Sequence, residues 1–157
     1  MLTLTEHPRP PVAALVALAD VRRLDGKRQD AIDLLSKALE RSPNVEAIRR
    51  ALLDLLKQEE QYGLIQSHAQ YILEQKPDEP FMRLDLAQAF DRQGKTEEAK
   101  EQVERFRQLR LGDEQRRAWR YLRGLGLGKY VDADSQEQPT SVPSEQQLEP
   151  SATSAKP

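Results

Sequence analysis

Few residues in this chain are of a type that performs covalent chemistry, and their spacing argues against it. There is no cysteine, which excludes thiol nucleophiles, disulfides and thiolate metal sites and leaves the redox compartment open. The two histidines, His7 and His68, have no neighbours at the spacing of a nucleophile–base set or a metal-ligand set. His68 falls mid-helix and reads as a packing or surface residue. Carboxylates are abundant but pair with cations three or four residues away, as in Glu97/Lys100 and Glu101/Arg105; that is the pattern of helix-supporting ion pairs. The run Gly124-Leu-Gly-Leu-Gly128 has part of the look of a phosphate loop. It follows a helical pattern rather than a strand, and no Lys-Ser or Lys-Thr pair comes after it, so it reads as a helix terminator. No catalytic residue, cofactor or metal is expected.

What remains is the chemistry of binding. Residues 105–130 carry 8 basic and 2 acidic groups, whereas residues 131–157 carry 1 and 5. Arg116, Arg117, Arg120 and Arg123 are interleaved with Trp119 and Tyr121. Cations with aromatic platforms can hold single-stranded nucleic acid, and a basic face can equally dock an acidic protein. The third reading is a solvated helix face whose aromatics cover the helices before it, with the acidic tail pairing with or masking the arginines.

The elements that must position these groups follow a 34-residue period over 12–45, 46–79 and 80–113. Leu18, Leu52 and Leu86 coincide, as do Ala31, Ile65 and Ala99, and Ala38, Ile72 and Phe106. Gly26 falls on Gly94, and Pro43 on Pro77. A fixed period of this length marks a stacked repeat array. Within each unit two amphipathic stripes at i, i+3, i+4 spacing predict two helices: Ala14, Leu15, Leu18, Ala19 and Arg22, then Ala31, Leu34, Leu35, Ala38 and Leu39 in the first. Asp25-Gly26 separates them, and Ser42-Pro43-Asn44 ends the pair. The second unit is expected at about 45–59 and 61–75, the third at about 79–93 and 95–109. A seventh helix over 113–124, capped by Asp113, carries Ala118, Tyr121, Leu122 and Leu125 on its apolar stripe and closes the array.

Residues 1–11, with Pro8, Pro10 and Pro11, read as an extended lead-in. Residues 12–128 form the repeat domain. Residues 129–157, rich in Ser, Gln, Glu and Pro beyond Val131, are expected to be a disordered acidic tail. The apolar stretch 12–19 could pass for a signal-peptide core, but it sits in register with 47–53 and 82–87 and is read as the first helix. No run approaches the roughly 20 apolar residues of a membrane span. A cytoplasmic location is expected, with the periplasm as the other candidate.

The pattern resembles the tetratricopeptide repeat. Ala19, Gly26, Ala31, Ala38 and Pro43 in the first unit, and Ala87, Gly94 and Ala99 in the third, stand where that family has its small crossing residues, turn glycine and terminal proline. The second unit departs from it, with Leu53, Glu60 and Ile65 in place of small or glycine residues. The resemblance covers about 100 residues and implies an all-α solenoid of three antiparallel helix hairpins with a C-terminal capping helix. It also implies a concave groove lined by the first helix of each hairpin. Here that groove comprises Val16, Asp20 and Arg23, then Ala47, Arg50, Asp54 and Lys57, then Phe81, Leu84, Gln88, Asp91 and Arg92, with Phe81 and Leu84 as an apolar patch. One sub-class of the family grips acidic chaperone tails with a lysine–asparagine–arginine clamp. The matching positions are Val16, Asp20, Ala51, Phe81 and Asp85, which lack the clamp.

The resulting expectation is a non-enzymatic adaptor or chaperone-like module, monomeric or weakly dimeric, that binds a short segment of a protein partner. Bacterial secretion or cell-envelope assembly is the setting in which similar repeats are common. The alternative is a nucleic-acid or regulatory binder acting through Arg116, Arg117, Arg120 and Arg123.

Overall fold

A computed structural model describes residues 9–132. Residues 1–8 and 133–157, which include most of the expected lead-in and acidic tail, lie outside the described residues. The described part is all-helical: α1 (Val12–Leu24), α2 (Arg28–Arg41), α3 (Glu46–Gln58), α4 (Tyr62–Gln75), α5 (Pro80–Arg92), α6 (Thr96–Arg107), a 3-10 turn (Gly112–Glu114), α7 (Gln115–Gly124) and α8 (Lys129–Asp132). From α1 to α6 each helix packs on the next in the chain, after which α7 packs on α5 and α8 on α6.

The turns inside each helix pair are built alike. Gly26 and Gly94 both take φ +76°, and the amide of the following lysine reaches back to a helix carbonyl, Lys27 to Arg22 at 2.8 Å and Lys95 to Phe90 at 2.9 Å. A left-handed residue is what lets the chain satisfy the orphan carbonyls at a helix end. Glu60 occupies the equivalent place with φ +54°, and Gln61 N–H still reaches Leu56 O at 3.0 Å. The second unit therefore keeps the turn without the glycine, at the steric expense of a Cβ in the left-handed region.

Close approach of the helices explains the small residues. Ala19, Ala31, Ala38, Ala87 and Ala99 are all buried, and in the second unit Leu53 and Ile65 are buried as well. One core cluster runs from Leu15 to Ala99 through α1–α6. A second comprises Leu84, Ala87, Val103, Phe106, Ala118, Leu122 and Leu127, with Tyr130 touching both.

Two buried arginines, 34 residues apart, tie the units together. Arg49 donates to Pro43 O at 2.8 Å and to His68 Nδ1 at 3.0 Å. Arg83 donates to Pro77 O and, at 3.0 Å, to Gln102 Oε1. Each thus clamps the proline loop before its helix to the helix after it. Burial, then Arg49, lowers the pKa of His68, so its imidazole is neutral at pH 7 and free to accept.

Three expectations are corrected. Leu18 is 42% exposed, although Leu52 and Leu86 at the same register are buried. Among the described residues α1 packs chiefly against α2, and no described helix precedes α1 to cover this side of it. The seventh helix does not start at Asp113. That residue lies in the 3-10 turn, and α7 begins at Gln115 without a side-chain cap. Residues 129–132, assigned to the tail, form α8. It follows a turn at Gly126 like those at Gly26 and Gly94, φ +76°, with Leu127 N–H bonded to Leu122 O at 3.2 Å.

Candidate functional site

A cleft of about 530 Å³ opens between α3, α5 and α7. Helical spacing delivers its lining. Arg50, Leu53, Asp54 and Lys57 share one face of α3; Phe81, Met82 and Asp85 share one face of α5; Arg117, Arg120, Tyr121 and Gly124 share one face of α7. Arg50, Asp54, Lys57 and Phe81 of the expected groove and Arg117 and Arg120 of the expected cap, which the sequence presents as rival surfaces, line this one cleft.

Its floor is apolar and aromatic. Phe81 and Tyr121 meet edge to face, with ring centroids 5.5 Å apart and planes at 66°. The Arg117 guanidinium lies over the Phe81 ring at 5.0 Å. Such stacking holds a planar cation without neutralising it.

The charges divide into two groups. Arg50 is held by Glu46 at 2.7 Å and Glu79 at 3.0 Å, and Glu46 also takes Lys76 at 2.6 Å. Lys57 bonds Asp85 at 3.0 Å and pairs with Asp54 at 3.4 Å. Asp85 is 3% exposed and accepts a second bond, 2.5 Å, from the Tyr121 hydroxyl. Burial by itself would lower the Lys57 pKa, but Asp85, Tyr121 and Asp54 outweigh it and hold the ammonium above its usual value. Burial, and then the bond to Asp85, pushes the Tyr121 phenol up to about 12. This network joins α3, α5 and α7 with its charges satisfied. In contrast, Arg117 and Arg120 form no ion pair among the described residues. The cleft therefore keeps two uncompensated guanidinium groups above an apolar floor.

A second, smaller cleft of about 320 Å³ lies between α1 and α3 and includes Asp20, Arg23, Ala51, Asp54 and Gln58. Asp54 belongs to both clefts. Asp20 and Arg23 pair with each other at 3.5 Å, and Val16 is partly buried against the core.

Not every expected groove residue reaches this surface. Leu84 is 0% exposed and sits in the second core cluster. The seating of α7 on α5 turns the expected apolar patch of Phe81 and Leu84 into one cleft residue and one core residue. Asp91 is taken up by α8, accepting from the Tyr130 hydroxyl and pairing with Lys129 at 2.7 Å. Gln88 is half-buried and Arg92 exposed, the latter 5.9 Å from the Tyr62 ring. On α7, Arg116 and Arg123 are exposed but do not line the cleft. Trp119 packs edge-on against Phe106, centroids 5.5 Å apart.

No protein-family model and no curated protein matches this chain. The geometry itself therefore carries the functional argument.

Sequence reasoning did not place Leu53, Met82 or Gly124 in the site; it named Tyr121 only as an aromatic platform of the cap and Asp85 only as a position that lacks the clamp. No local pattern links Lys57 to Asp85 or Asp85 to Tyr121, because the contacts cross three helices. Arg49 and Arg83 were visible as an identical residue at the repeat period, aligned with His68 and Gln102 in the following helices. Among the described residues no cluster suited to a metal ion is present, and no helix is long and apolar enough to cross a membrane.

Proposed function

We propose that the chain is a non-enzymatic binding module of the tetratricopeptide kind. In this reading three antiparallel hairpins stack as a solenoid, and α7 with α8 closes it as an abbreviated fourth. Supporting it are the left-handed turns at residues 26, 60 and 94, the buried crossing alanines and the two arginine clamps one period apart. The ligand is an acidic segment of a protein partner carrying at least one apolar side chain. The observation that carries this is the pairing of unneutralised Arg117 and Arg120 with the Phe81–Tyr121 floor in one cleft. The apolar contact supplies most of the affinity. The guanidinium groups orient carboxylates, accelerate association and make binding salt-dependent. A cleft of this length accommodates only a short peptide, so affinity near the micromolar range is expected.

Binding of nucleic acid through the cap is the weaker reading. Tyr121 is occupied with Phe81 and Asp85, and Trp119 with Phe106, which leaves few aromatic faces for bases.

Selection of a displayed random-peptide library on the immobilised full chain tests the proposal. Enriched peptides should combine Asp or Glu with an aromatic or aliphatic residue, and should not be retained by the Arg117→Glu/Arg120→Glu variant. Enrichment without acidic residues, or retention by that variant, would refute the reading.

A further inference from the structure

We infer that the cleft is occupied in the resting chain by the chain's own acidic segment, residues 145–149, so that a partner must displace it. The inference rests on the reading of the cleft as an acidic-peptide site and names its first occupant.

Charge complementarity is the first argument. The cleft holds two guanidinium groups, Arg117 and Arg120, without carboxylate partners among the described residues. Beyond Asp132 the sequence supplies Asp134, Glu137, Glu145 and Glu149, with no basic residue before Lys156.

Pattern is the second. In Glu145-Gln-Gln-Leu148-Glu149 two carboxylates flank a leucine. Arg117 and Arg120 are three residues apart on α7, above Leu53, Phe81 and Met82. The segment thus offers one apolar side chain for that floor and two carboxylates for the two arginines. Val142 is the one other aliphatic residue larger than alanine in 133–157, and no carboxylate adjoins it.

Reach is the third. The described chain ends at Asp132, two residues past Tyr130, which is bonded to Asp91 on α5. Phe81 lies ten residues back along the same helix, about 15 Å at the α-helical rise. The thirteen residues from 132 to 145 span up to about 45 Å, so the segment arrives with length to spare. A tethered segment acts at an effective concentration on the order of millimolar. Even a weak contact is then populated in cis, and a peptide in trans displaces it only by binding more tightly than the tail segment does.

The test uses the full chain and its variant Glu145→Gln/Leu148→Ser/Glu149→Gln, whose substitutions lie outside the described helices. The probe is a fluorescein-labelled synthetic peptide of residues 140–152, read by anisotropy at low salt. A second labelled probe, Glu-Asp-Leu-Phe-Glu-Asp, is unrelated in sequence. The variant should bind the 140–152 peptide at least tenfold more tightly than the wild type does. Adding Arg117→Glu/Arg120→Glu to the variant should abolish that gain. Equal binding by wild type and variant would overturn the inference while leaving the cleft's acidic specificity intact. So would binding of the unrelated acidic probe alone. Failure of both probes on both chains would overturn the inference together with the proposed function.

Discussion

Removing the Lys57 ammonium should expose how firmly the cleft is built into the fold. Lys57 on α3 and Tyr121 on α7 both bond Asp85 on α5, at 3.0 and 2.5 Å. Asp85 is 3% exposed, whereas the Lys57 side chain is 30% exposed. At 3.0 Å and an effective dielectric of about 20, the Coulomb attraction is about 5.5 kcal/mol, partly offset by desolvation of the lysine. Removing one partner of a fully buried pair typically costs about 3–5 kcal/mol. Water reaches Lys57 and the Tyr121 bond survives, so Lys57→Met should lose about 2–3 kcal/mol. For a domain of this size that is roughly a 10 °C fall in Tm. The assay is urea or thermal unfolding followed by circular dichroism at neutral pH. Lys57→Met/Asp85→Asn should recover at least half of the loss, because no buried charge is then left unpaired. A loss below about 0.5 kcal/mol, or a double variant no more stable than the single one, would refute the reasoning. The network also sets a pH limit. The pKa values of Lys57 and Tyr121 are both raised in the folded chain, from 10.5 and 10.0, Tyr121 to about 12. The folded state therefore holds more protons than the unfolded state in this range. The stability these two groups contribute is complete below about pH 10 and is lost as pH rises toward about 12. Lys57→Met/Tyr121→Phe should flatten that alkaline decline.

Three further outcomes are expected. Glu60→Gly should raise stability by about 0.5–1 kcal/mol, because residue 60 holds φ +54° where a Cβ is strained; an unchanged or lower Tm would count against the shared turn geometry. Ala99→Leu should cost about 1–3 kcal/mol through overpacking, since Ala99 is fully buried between helices; a melt unchanged within error would contradict that placement. Leu84→Ala should cost about 2–5 kcal/mol by opening a cavity under α7. Phe81→Ala, at the half-buried cleft position, should lose less stability and more peptide binding; the reverse order would show that the roles of these two residues have been exchanged.

Much of the local structure was legible because local rules govern it. Proline is excluded from a helix beyond its first turn, and Pro43 and Pro77 mark the boundaries after α2 and α4. A turn that needs φ above zero selects glycine, and Gly26 and Gly94 mark two such turns in advance. The period of the alanines foretold their burial, because helices that approach closely leave room for little else. On the cleft, the i, i+3, i+4 rule placed Arg50, Asp54 and Lys57 on one face of α3, and Arg117 and Arg120 on one face of α7.

Contacts between elements decided the rest. Leu18 and Leu52 are the same residue at the same register, yet one is exposed and the other buried; the difference is whether a helix lies alongside, which no residue within the helix encodes. Leu84 has the spacing of a groove residue, and only the seating of α7 on α5 makes it core. The same seating brings Tyr121 to Asp85 and sets Arg117 over Phe81, 36 residues distant in the chain. By itself the sequence determined the approximate bounds of α1 to α6 and most of their apolar faces, because backbone conformation and side-chain periodicity act over a few residues. Only the tertiary structure decided that Arg50, Asp54, Lys57 and Phe81 share one cleft with Arg117 and Arg120, because that depends on how α3, α5 and α7 come to rest against one another.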